Sequence, residues 1–221
     1  MAANRNLVTL AALLLAAIAP AGPARAADSA FGAREFELCA QCHGPEGAGN
    51  PAALAPAIAG LPEWYILTQL GDFKDGLRGL HPDDTGGLRM YPMSQYLRTE
   101  ADVKAVAAYV AGLPRTHPAP VVEGGDAQKG AALYTPCAAC HGPDGGGNEA
   151  VKAPPLRGAS DWYLLSSLEK FKAGIRGSNP QNVNAALMRG MAQMLTDQQA
   201  MKDVVAYIES LSKQTAANAA K

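Results

Sequence analysis

Shifted by 98 residues, the sequence aligns with itself without a gap from about Gly32 to Leu113. Cys39, Cys42 and His43 fall on Cys137, Cys140 and His141, and Gly44-Pro45 falls on Gly142-Pro143. Further along, Pro56 meets Pro154, Trp64-Tyr65 meets Trp162-Tyr163, and Phe73-Lys74 meets Phe171-Lys172. Arg78-Gly79 then meets Arg176-Gly177, Met90 meets Met188, Met93 meets Met191, and Tyr109 meets Tyr207. One register held over that length is a tandem duplication. Whatever the chain folds into must be buildable twice from about 90 residues. The joint falls at Pro114 to Gly125, where Pro114, Pro118 and Pro120 cannot continue a helix. The domains are therefore expected at 28–113 and 126–213, with a linker at 114–125.

Each copy reads as helices separated by loops. A first helix runs into the first Cys, with Phe36 or Tyr134 facing inward; Asp126 is a good N-cap for the second copy. A second helix is expected to begin at Pro62 in one copy and to be capped by Ser160 in the other. Ile66, Leu70, Phe73 and Leu77 follow helical spacing, as do Leu164, Leu168, Phe171 and Ile175. A last helix opens near Thr99 with Asp102 and near Thr196 with Gln199, both in capping-box patterns. Val103, Val106, Ala107 and Val110 face inward there, as do Val204, Val205 and Ile208. No strand alternation competes with these patterns, so the fold class is all-α, twice over.

The N-terminus has the pattern of an export signal. Arg5 precedes an apolar stretch from Leu7 to Ala19, Pro20 and Gly22 break it, and Ala24-Arg25-Ala26 offers a cleavage site. A signal peptide at 1–26 implies the periplasm. The apolar run is too short to span a bilayer, which takes about 20 residues. Removing it deletes two Arg and no acid, which moves the net charge from −1 to −3. Such a balance gives no basic face for nucleic acid.

Cys39-Ala40-Gln41-Cys42-His43 and Cys137-Ala138-Ala139-Cys140-His141 carry the chemistry. Two thiols three positions apart on one helical turn can add to the two vinyl groups along one haem edge. The next residue, His, then lies under the iron. This is the c-type haem attachment pattern, and it occurs twice, giving two covalent haem c groups. Two disulfides would leave both His unexplained. A zinc site would need more ligands than either repeat offers, and a thioredoxin-like site would need a strand–helix context.

His43 and His141 are the fifth iron ligands on this reading. For the sixth, all four Cys are consumed, and His81 and His117 have no counterpart in the other copy. Met90 and Met188 each stand 47 residues after their His, in what reads as a loop before the last helix. Met93 and Met191 are the equivalent second choices, while Met194, opposite Tyr96, reads as core. A His/Met pair fills both axial positions and suits outer-sphere electron transfer. Pro56 and Pro154 lie 13 residues after their His and offer carbonyls to hold the other ring nitrogen. Arg78 and Arg176 read either as helix-closing charges or as partners for haem propionates. Trp64, Tyr65, Trp162 and Tyr163 read as core residues, the alternative being that their polar edges meet haem propionates.

With Gly-Pro-(Glu/Asp)-Gly after the first His, the Trp-Tyr helix and Met-Arg-Gly-Met-Ala at 188–192, the chain resembles the two-haem cytochrome c4 family, tandem class I cytochrome c domains. The resemblance covers nearly the whole chain beyond the export segment. It implies two domains about a pseudo-twofold axis and service to terminal oxidases as a soluble or membrane-associated donor. It also implies the first Met of each pair as ligand, seven residues before a Leu: Met90 before Leu97 and Met188 before Leu195. The first copy lacks the Arg-Gly after its Met.

The function expected is electron transfer from a quinol-oxidising complex to a terminal oxidase, without substrate chemistry. The alternative is a cytochrome subunit of a periplasmic dehydrogenase, such as a sulfide-oxidising flavocytochrome. A two-haem peroxidase would need an open iron, against which the symmetric Met pairs argue.

Overall fold

A computed structural model describes the backbone of residues 23–219 and the side chains of 29–213. The export segment expected at 1–26 lies outside the residues whose side chains are described. Eight α-helices occur among the described residues, four in each copy. The first set is α1 (Pro23–His43), α2 (Glu63–Lys74), α3 (Thr85–Tyr96) and α4 (Glu100–Gly112). The second set is α5 (Ala127–His141), α6 (Asp161–Lys172), α7 (Val183–Ala192) and α8 (Gln198–Ala219). The described residues contain no strands, only isolated bridges at Asn50–Ala55 and Asn148–Ala153. None of the described helices is long and apolar enough to cross a membrane.

The dominant packing in each copy is the first helix against the last. It is possible because Gly32 and Gly130 present no side chain at the crossing. A Cβ on Gly32 would lie 2.3 Å from the Ala105 carbonyl oxygen, and one on Gly130 would lie 1.9 Å from that of Asp203. Beside each crossing an aromatic pair closes the seam: Phe36 on Tyr109 and Tyr134 on Tyr207, both with centroids 5.3 Å apart. The helical spacings seen in the sequence face inward: Ile66, Phe73, Val106, Ala107 and Val110 are buried, as are Leu164, Phe171, Val204, Val205 and Ile208.

The helix ends differ from expectation in three places. Thr99 caps α4 in a complete box, its hydroxyl accepting the Asp102 amide at 3.1 Å while Asp102 accepts the Thr99 amide at 2.8 Å. In the second copy the cap is not Thr196 but Asp197, which accepts the Ala200 amide at 2.8 Å. Asp197 is the register partner of Thr99, so the repeat points to the right residue where the local pattern does not. Ser160 stands at the N-cap position of α6 but makes no side-chain cap. Its buried hydroxyl accepts the Ala57 amide of the other domain at 3.1 Å instead.

The third difference matters most for function. The Met-bearing segments are not loops but the helices α3 and α7. Their Gly content hid the caps: Asp84 accepts the Gly87 amide and Asn182 the Ala185 amide, each at 3.0 Å. At the far ends, Lys74 donates to the Leu97 carbonyl and Lys172 to that of Leu195. Gln95 and Gln193 donate back to the Lys74 and Lys172 carbonyls at 3.1 and 2.9 Å. Met194 is not core: it is 56% exposed, like its counterpart Tyr96 at 53%. Both stand one residue before the buried Leu97 and Leu195, on the side of the chain turned to solvent.

Between the two domains, α6 meets the segment that follows α2. Arg78 donates to the Tyr163 hydroxyl at 2.9 Å, and Lys170 pairs with the buried Asp84 at 2.8 Å. The segment between the domains is held down rather than loose. Buried Asp161 accepts the Val121 and Val122 amides at 2.7 and 2.6 Å, and Arg115 donates to the Arg157 carbonyl at 2.8 Å.

Substituting Gly130→Ala forces a methyl group into backbone, so α5 and α8 must separate. Urea denaturation of the purified protein should show a loss of about 2–3 kcal/mol, in the range of overpacked cores. Gly71→Ala, where nothing lies within 4 Å of the new Cβ, should cost nothing.

Candidate functional site

Both attachment motifs occupy the last turns of their helices, α1 and α5, which places thiols and imidazole on one side of a single turn. All four Cys are unpaired thiols. Burial pushes Cys39 and Cys137 above the ordinary thiol value of 9.0, more than their backbone hydrogen bonds lower them. His43 and His141 are buried, and desolvation holds both below 6.5 despite the opposing carbonyl contact. Each is therefore a neutral imidazole at neutral pH.

The carbonyl contacts suggested by the sequence are present. The Nδ1–H of His43 donates to the Pro56 carbonyl, and that of His141 to Pro154, both at 2.8 Å. A carbonyl only accepts, so the proton is on Nδ1 and the lone pair is on Nε2, the tautomer that binds a metal. A short loop delivers each carbonyl. Asn50 and Ala55 exchange backbone hydrogen bonds at 2.7 and 3.0 Å, and Asn148 and Ala153 at 2.8 and 3.0 Å. Gly49 (φ +88) and Gly147 (φ +81) let the loop turn back; a Cβ there would sit 2.5 Å from the nitrogen of Ala57 or Pro155. The signal was available in the repeated Gly-Asn but needed the structure to interpret.

In the second domain a cavity of about 180 Å³ is lined by Cys137, His141 and Met188, with apolar walls from Leu164, Phe171 and Ile208. Met191 is not among its lining residues. Tyr65, Gln69 and Arg78 of the first domain also line it, so this site is built from both domains. Met90, Met93, Met188 and Met191 are all partly buried.

Two partly buried guanidiniums line the cavity between the domains. Arg78 also donates to Gln69 at 2.5 Å, and Arg176 donates to Ser167 at 2.9 Å. Each stacks on a Phe of its own domain, Arg78 4.6 Å from the Phe73 centroid and Arg176 4.3 Å from Phe171. They do not close helices: α2 ends at Lys74 and α6 at Lys172, four residues earlier. Neither forms a salt bridge among the described residues, and the Nε of each is buried without a partner. For Tyr163, burial is outweighed by the charges of Arg78 and Arg176, and the phenol is lowered to about 7. Tyr65 is pushed up to about 12, chiefly by burial and then by Tyr163. Partly buried cationic groups with unsatisfied donors are the complement of an acidic ligand edge.

Paired thiols, a metal-ready imidazole, an apolar cavity and donors for carboxylates together fit a covalently bound haem. The cytochrome c family profile matches residues 29–114 and 127–212. Cytochrome c4 of Thiocapsa roseopersicina is 34% identical over 186 residues, covering 80% of this chain and 88% of the relative. The chain belongs to the cytochrome c family, in its cytochrome c4 branch. A thiosulfate dehydrogenase electron acceptor of Thiomonas intermedia is 36% identical, covering 75% of each chain. Reduced cytochrome c4 from Pseudomonas stutzeri superposes with a TM-score of 0.64 at 29% identity, over 82% of this chain and 97% of that one. Thiosulfate dehydrogenase from Marichromatium purpuratum gives a TM-score of 0.67 at 33% identity, over 81% of this chain and 39% of that one. The protein is a dihaem electron carrier of the cytochrome c4 kind, with one haem c at Cys39, Cys42 and His43 and one at Cys137, Cys140 and His141.

The Arg pair supplies positive charge at the cavity that holds His141 and Met188, and positive charge favours the more reduced iron. Arg78→Gln and Arg176→Gln should each lower reduction potential in a spectroelectrochemical titration, while Arg78→Lys and Arg176→Lys return most of it. Unchanged potentials in both Gln variants would show that the guanidiniums serve packing alone.

Proposed function

We propose that the protein carries electrons through the periplasm with Met90 and Met188 as sixth ligands, in domains at 28–113 and 126–213 joined by 114–125. The observation that carries this reading is the second-domain cavity, where Met188 and His141 line the same apolar space and Met191 does not. The repeat register extends it to Met90. Haem supplies a one-electron couple. The chain's own groups keep that couple simple. The Pro56 and Pro154 carbonyls fix the imidazole tautomer and ring direction. The apolar walls exclude water, and the Met90 and Met188 thioethers would complete the iron's ligand set, leaving no site for substrate chemistry. The Arg pair offsets carboxylate charge without requiring proton uptake.

The donor and acceptor we propose are a quinol-oxidising complex and a terminal oxidase. A second reading, as electron acceptor of a periplasmic thiosulfate dehydrogenase, is favoured by the similarity to the Thiomonas intermedia acceptor. The purified protein should be reduced by the quinol-oxidising complex and reoxidised by the oxidase at turnover rates. Reduction only by thiosulfate dehydrogenase would establish the second reading in its place. A sulfide-oxidising flavocytochrome partner would show instead as stoichiometric co-purification with a flavoprotein.

The ligand assignment has a direct test. Two low-spin haems with the weak iron–Met band at about 700 nm and no carbon monoxide uptake are expected of the wild type. Met90→Ala and Met188→Ala should each bind one carbon monoxide per reduced protein, and the double variant two. Met93→Ala and Met191→Ala should bind none. The reverse pattern would move the ligand to the second Met of each pair.

A further inference from the structure

Each Met-bearing helix starts at a polar cap that the other domain also faces. In the first domain the cap of α3 is Asp84, 1% exposed. Its Oδ1 accepts the Gly87 amide at 3.0 Å and also the ammonium of Lys170, from α6 of the second domain, at 2.8 Å. Its Oδ2 is buried without a partner, so Lys170 is the main compensation for the carboxylate charge. In the second domain the cap of α7 is Asn182, whose Oδ1 accepts the Ala185 amide, and Asp72, from α2 of the first domain, lines the same interdomain cavity as Asn182.

The two arrangements are related by the repeat register, which places Asp84 on Asn182 and Asp72 on Lys170. The chemistry is exchanged in step. A carboxylate cap only accepts, and the opposite domain presents a donor. An amide cap both accepts and donates, and the opposite domain presents an acceptor. Met90 and Met188 follow their caps by six residues, less than two helical turns. The far ends of both helices are pinned within their own domain by Lys74 with Gln95 and by Lys172 with Gln193. The N-terminal anchor is thus the one that depends on the neighbouring domain.

We propose that Lys170 and Asp72 are positioning residues that act across the domain interface on the caps of the opposite Met-bearing helices. Each domain thereby governs how readily the other's Met leaves its iron. This rests on Met90 and Met188 being the sixth ligands. Without Lys170, Asp84 is left as a buried carboxylate with one amide donor and is driven towards water, away from its cap position. The first turn of α3 loosens, and Met90 with it. Loss of Asp72 removes the acceptor presented to Asn182 and loosens α7 in the same way.

The test is imidazole titration of the oxidised dihaem protein, reading loss of the iron–Met band at about 700 nm. The two haems give two phases, assigned by Met90→Ala and Met188→Ala. Lys170→Met should tighten imidazole binding at the first-domain haem about fivefold, the scale of a lost cap, and leave the other phase in place. Asp72→Leu should do the reverse. Lys170→Arg should restore wild-type behaviour. So should the double variant Asp84→Asn with Lys170→Asp, which writes the second domain's pair into the first. If Lys170→Met does not accumulate, Lys170→Gln keeps a neutral donor and should give a smaller shift in the same phase. Phases that stay put in both single variants, or that move together, would overturn the proposal, since a merely structural interface loosens both haems alike. A wild type without the iron–Met band would instead overturn the ligand assignment itself.

Discussion

The close crossing of the first and last helices at Gly32 and Gly130 is the constraint from which each domain is built. With backbone this near to backbone, a single methyl group at either position would meet a carbonyl oxygen. The crossing fixes α1 and α5 along their length, and therefore fixes where their C-terminal turns emerge. Those turns carry the Cys pairs and the His. The tilted aromatic pairs beside the crossings hold the seam shut and remove further apolar surface from water. Attachment chemistry thus begins from a rigid platform rather than from a loop.

From that platform the remaining requirements are met by short, local devices. The Asn-closed loops return Pro56 and Pro154 to their imidazoles, so the other ring nitrogen of each is the unprotonated one. The helix that carries each Met is held at one end by a Lys and a Gln of its own domain and capped at the other by Asp84 or Asn182. Partly burying Arg78 and Arg176 without carboxylate partners costs free energy in the isolated chain. Acidic propionate edges would offset that cost, so haem attachment and domain docking reinforce one another at the same surface.

Features that repeat in register, or that follow a helical period, were legible in the sequence. The duplication, the all-α class, the attachment motifs and the inward faces of α2, α4, α6 and α8 all belong there, because each is a pattern along one chain. What was not legible depends on contacts between distant segments. Ser160 has the chemistry of a cap, but an amide 103 residues away competes for it and wins. Asp84 and Asn182 cap helices that Gly86, Gly87 and Gly190 made resemble loops. Arg78 and Arg176 looked like helix-closing charges, yet their helices end earlier and their guanidiniums turn into the interface. Met194, lacking a methionine counterpart, read as core, yet its side chain is exposed.

The duplicated halves repeat the haem-attachment residues, whereas some of their contacts with each other differ. A strict twofold interface would place like residues opposite like: two Lys–Asp pairs, or two Asp–Asn pairs. Here one side has Lys170 paired with Asp84, and the register positions on the other side are Asp72 and Asn182, which line the interdomain cavity. The first pair is charged at both positions and the second at one only, so the electrostatic surroundings of the two haems cannot be equal. Lys152 over the Trp64 ring, 5.4 Å from its centroid, adds a cation on the same side of the asymmetry, since its counterpart is Leu54. Two sites with the same ligand types but unequal surrounding charge hold electrons at different energies. The duplication supplies two carriers, and with the proposed ligands the unequal charge at their contact surface would give electron flow between them a direction.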